Sequence, residues 1–99
     1  MLLAHAAALA KARSYIAALA DHVSTVEASS AYERALIDLD VIHGDETPAL
    51  NTAGLPDDHG TLVAVAVSAV EGLADYGVDG LSIELVLAAL AEAQALDEP

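Results

Sequence analysis

The sequence contains no cysteine, tryptophan or phenylalanine, and only three Lys or Arg residues. Without cysteine there is neither a disulfide framework nor a thiolate zinc site, and the redox compartment is not encoded. Three basic residues are too few to neutralise a run of phosphates, which excludes direct nucleic-acid binding. Long apolar runs are missing too. The uncharged stretch Thr61–Val70 is about half of the roughly 20 residues a membrane span needs. The apolar start Met1–Ala10 has Lys11 and Arg13 after it, whereas a secretion signal carries its charges in front. A soluble, cytoplasmic chain with no membrane partner is expected.

Acid and alanine are what the 99 residues have in abundance. Sixteen Asp or Glu give a net charge of −13, yet 56% of the chain is apolar, which excludes disorder. The charge is not spread evenly. Residues 1–34 balance Lys11, Arg13 and Arg34 against Asp21, Glu27 and Glu33; residues 35–99 are acidic without a single base. Such a surface keeps an Ala/Leu-rich protein in solution and favours a basic protein partner. It is also compatible with an inhibitor that mimics nucleic acid.

Alanine and leucine favour helix, and neither Gly nor Pro occurs before Gly44. Leu2, Leu9, Ile16 and Val23, with His5, Ala12, Leu19 and Val26, form one apolar stripe, so a helix is predicted over 2–26. The phase fails at Ser30 and Glu33. A new stripe, Tyr32, Leu36, Leu39 and His43, predicts a second helix over 28–43, with a turn or kink at 25–30. Ser24-Thr25-Val26-Glu27 and Ser30-Ala31-Tyr32-Glu33 both fit a capping box.

Pro48, Gly54, Pro56 and the acids Asp45, Glu46, Asp57 and Asp58 mark a long acidic loop over 44–57, which either crosses the bundle or has a task of its own. Val63, Val65 and Val67 alternate like a strand, but Leu62, Ala66, Val70 and Leu73 complete a helical arc over 58–76 that ends at Gly77. A last helix over 82–96 is apolar on two sides: Ile83, Val86, Leu87 and Leu90 on one, Leu85, Ala89 and Leu96 on the other. Such a helix belongs between neighbours. The expectation is an all-α fold, one domain over 1–99, a bundle of about four helices. The second apolar side and the small-residue row Ala6, Ala10 and Ala17 point to a homodimer.

Chemistry-bearing patterns are few. Among His5, His22, His43 and His59 no two stand four apart, and no Glu-x-x-His occurs, so helical zinc-hydrolase and di-iron patterns are absent. The loop ends offer His43, Asp45, Asp57, Asp58 and His59, with Glu46 beside them. If the ends meet, these oxygens and imidazoles suit a divalent metal or ligand site. Asp75–Gly80 resembles the first half of an EF-hand loop, but Gly77 and Val86 stand where that loop needs acids. Gly77–Leu85 resembles the Asp-Ser-Leu motif of acyl carrier proteins; Gly80 holds the place of the serine that carries the prosthetic arm, and one helix follows where two should. Asp79 and Ser82 are read as helix-start residues, with Gly77 and Gly80 at positive φ. No nucleophile motif or phosphate-cradling loop is present, so catalysis has thin support outside an enzyme or ligand-binding role for the metal loop, and no cofactor is expected. On the second helix, Ile37 and Val41 lie outward beside Asp38 and Asp40, a small apolar contact patch ringed by charge. The leading expectation is a non-catalytic interaction or regulatory module.

Overall fold

The computed structural model describes residues 3–44 and 47–97. It is all-α: α1 Leu3–His22, α2 Val26–His43, α3 His59–Gly72 continued by a 3₁₀ turn Leu73–Tyr76, and α4 Gly80–Asp97. The predicted start at Leu2 lies outside the described residues.

The four helices form a square. α1 packs on α2 and α3, α4 packs on α2 and more thinly on α3, and the pairs α1/α4 and α2/α3 occupy the diagonals. At one end His5, His43, Tyr76 and Ser82 line a common cavity; at the other, His59 meets Asp97. Neighbouring helices are therefore antiparallel, and the diagonal helices α2 and α3 run in the same sense. The connection 44–58 has to travel the length of the bundle between them, which answers why it is long. It runs along α1: Asn51 N–H donates to Ser14 Oγ at 3.0 Å, Arg13 donates to the Pro48 carbonyl, and Leu55 packs on the core.

Leu9, Ile16, Leu19, Tyr32, Leu39, Leu62, Val70, Leu73 and Val86 fill the interior. Ala12, Ala28, Ala35, Ala66 and Ala93 are wholly buried as well, so the alanine-rich composition sets close helix approach. Val63 and Val67 join the core margin at helical spacing, and the alternating valines are not a strand.

Two boundaries differ from the periodicity. α1 stops at His22 instead of Val26, and Val26 is 79% exposed at the start of α2. Local hydrogen bonding decides this against the heptad. Thr25 Oγ1 accepts from Ala28 N–H at 3.2 Å, and Ser29 Oγ donates to the otherwise unpaired Ala20 carbonyl at 2.9 Å, closing both helix ends across a turn at 23–25. The cap is Thr25, not Ser24 or Ser30. Likewise α4 begins at Gly80 rather than Ser82: Asp79 Oδ2 accepts from Ser82 N–H, so Ser82 is capped and does not cap. Gly77 has φ +85°, as a helix-ending glycine should, whereas Gly80 is simply the first helical residue.

Tyr32 is buried, and its hydroxyl has no hydrogen-bond partner among the described residues. Burial first, and then the Asp97 carboxylate, raise its pKa above the ordinary 10. An uncompensated buried hydroxyl costs about 1–3 kcal/mol. Tyr32→Phe is therefore expected to raise the thermal midpoint, and an unchanged or lower midpoint would contradict the packing described. Because the folded-state pKa is the higher one, the neutral phenol's contribution is complete below pH 10 and is lost as pH climbs through the raised value. The Phe variant should lose less stability in that alkaline window.

Candidate functional site

The two apolar positions singled out on α2 do face outward. Ile37 is 59% and Val41 72% exposed, one helical turn apart. Across the α2–α4 seam Val41 shares a shallow cavity of about 370 Å³ with Leu85, Asp38, Ile42 and Val86. Leu85 is 62% exposed, and Leu81, one turn before it, 66%. Ile37, Val41, Leu81 and Leu85 thus border the same seam. On the second apolar side of α4 Leu85 and Leu96 are exposed while Ala89 packs against the core margin, and Ile83, Val86 and Leu90 face the core. Among the described residues Ile37, Val41, Leu81 and Leu85 all stay exposed.

Asp40 does not belong to that patch. Arg13 Nε donates to Asp40 Oδ1 at 2.7 Å and Arg13 Nη2 to Oδ2 at 3.2 Å, a fork gripping one carboxylate while its third nitrogen holds the Pro48 carbonyl. The pair is mostly buried and ties α1, α2 and the crossing connection together. Asp40 sits one residue after Leu39 and four after Leu36, at the edge of the core stripe. That position was the available sign that it turns inward. Asp38 remains half-buried beside Val41.

The proposed metal residues are not brought together. Asp45 and Glu46 lie outside the described residues. His43 is at the end of the bundle with Ser82, and His59 at the end with Asp97, about 20 Å apart along α4 at 1.5 Å per residue. The ends of the connection do not meet because α2 and α3 run in the same sense. Asp57 is exposed at the second end. Asp58 caps α3, accepting from Thr61 N–H at 2.8 Å and Thr61 Oγ1 at 2.7 Å; these bonds, the hydroxyl's first, lower its pKa. His59 Nε2 stands 3.3 Å from Asp97 Oδ2. Among the described residues no three His, Asp or Glu side chains gather closely enough to hold a metal ion.

Periodicity alone missed a histidine pair. His5 Nε2 lies 3.2 Å from His43 Nε2, and Tyr76 stacks on the His5 ring with centroids 5.2 Å apart and planes 6° from parallel. They line a cavity of about 440 Å³ with Ile42, Val78, Asp79 and Ser82. His5 is half-buried at the end of the core, where its place in the α1 stripe puts it.

No family model, curated protein or solved structure matches this chain. No described helix is long and apolar enough to cross a membrane.

Proposed function

We propose that the protein is a non-catalytic interaction module that pairs with a second copy of itself through the α2–α4 seam. The observation that carries this reading is the exposure of Leu81 and Leu85 on α4 together with Ile37 and Val41 on α2. Four large aliphatic side chains bordering one seam form a patch of the kind that marks an interface. Removing each from water contributes about 1.5–3 kcal/mol when burial is complete. A two-fold contact would use the patch twice and needs no second surface.

The charge sets the salt dependence. Two chains of −13 repel each other, and Asp38 and Glu84 stand close to the apolar positions. Apolar contact held against like charge tightens as salt screens the repulsion. A second reading, a basic protein partner, is favoured by that same acidic excess, and it has the opposite signature, since attraction between unlike charges weakens with salt.

Light scattering behind a sizing column, at low and high salt, tests the reading. The expected result is a two-chain particle whose share grows with salt. The double variant Val41→Glu/Leu85→Glu should elute as one chain with unchanged helical circular dichroism. A single wild-type chain at both salts, or a variant that still pairs, overturns self-association. If the wild type stays single and instead captures basic proteins in a salt-sensitive way, the second reading takes its place.

A further inference from the structure

We infer that His5 and His43 form a two-imidazole chelate for a borderline divalent transition-metal ion of the zinc, nickel or copper class, at the end of the bundle away from His59. The geometry begins with the tautomers. A carbonyl oxygen can only accept, so the 2.9 Å contact from His43 Nδ1 to the Leu39 carbonyl fixes the proton on Nδ1. His43 Nε2 therefore presents a lone pair. His5 Nε2, 3.2 Å away, supplies the hydrogen between the rings. The two ring nitrogens face each other across 3.2 Å.

That separation matches a metal bite. Two nitrogens each about 2.0–2.1 Å from a tetrahedral ion stand about 3.3 Å apart. An ion can replace the shared hydrogen without changing the nitrogen separation, as the rings turn their lone pairs toward it and His5 changes to its Nδ1–H form. The surroundings also match what metal-binding imidazoles use. His43 is oriented from behind by a backbone carbonyl, the common outer partner of a metal-bound histidine. Stacking on Tyr76 holds the plane of His5, and the two imidazoles meet edge-on at 65°. The remaining coordination positions open onto the 440 Å³ cavity and fall to solvent, because Asp79 Oδ2 is engaged in capping α4 through Ser82. Imidazole nitrogen selects zinc, nickel and copper over calcium and magnesium, so the ion is distinguished from those the acidic surface attracts.

The test is calorimetric titration of zinc into the full chain at neutral pH, with excess magnesium occupying the carboxylates. One saturable ion per chain is expected. His5→Gln and His43→Gln should each weaken it by roughly tenfold or more, while His22→Gln and His59→Gln should leave it unchanged. No saturable heat overturns the inference. Equal weakening by His59→Gln also overturns it, because the ion would then sit elsewhere. Should a variant lose helicity, the wild-type imidazole resonances decide: zinc must shift those of His5 and His43, and shifts confined to His22 or His59 refute the site. The titration is independent of self-association, since the double variant Val41→Glu/Leu85→Glu retains both imidazoles and should bind the same ion.

Discussion

Arg13→Ala is expected to destabilise the folded chain by about 2–3 kcal/mol, the range for a charge-assisted hydrogen bond left without its partner below the surface. The reason is that one side chain joins three segments. Its guanidinium grips both oxygens of Asp40 on α2 and the Pro48 carbonyl of the crossing connection, at 12% side-chain exposure. Removal leaves a partly buried carboxylate and a carbonyl unpaired. Lysine is a poor substitute, because a single ammonium cannot fork across a carboxylate and reach a third acceptor, so Arg13→Lys should recover only a minor part of the loss. Urea unfolding of the wild type, Arg13→Ala, Asp40→Ala and the double variant, at one protein concentration, isolates the pair. A loss below about 0.5 kcal/mol would show the fork to be an ordinary surface ion pair.

The second large effect separates two positions on one turn of α2. Leu39 is 1% exposed and Val41 72%. Leu39→Ala should cost about 2–5 kcal/mol through lost burial and the cavity left behind. In dilute solution, where chains are single, Val41→Ala should change stability by no more than about 0.5 kcal/mol. The ratio of the two losses reads the rotation of α2 about its axis. Similar losses at both positions would mean that α2 is turned or covered otherwise than described.

The helices were legible where local chemistry speaks for itself. Asp58 and Asp79 before α3 and α4, and Gly77 after the 3₁₀ turn, do what short polar residues and glycine do at helix ends. The stripes placed Leu9, Ile16, Leu39, Leu62 and Val70 inside. The heptad overran at Val23 and Val26 because apolar spacing cannot register that Thr25 and Ser29 close the helix ends first. The apolar patch at Ile37 and Val41 was legible from α2 itself; its continuation onto Leu81 and Leu85 needed the α2–α4 packing. The fork of Arg13 on Asp40 and the pairing of His5 with His43 join residues 27 and 38 positions apart, and no periodicity links them. The metal site at the loop ends depends on those ends meeting, a condition no local pattern reports; the direction of α3 puts His43 and His59 at opposite poles.

The thin contact between α3 and α4 has a bearing on how the chain assembles. Sequential neighbours usually supply the first native structure, yet here the second hairpin has little internal surface of its own, and α4 finds its main partner in α2 while α3 finds its in α1. Each half of the chain thus completes the other. Neither hairpin gains most of its burial until the crossing connection has delivered α3 to α1. Closure of the bundle is therefore non-local, which slows folding relative to what the helix content alone suggests.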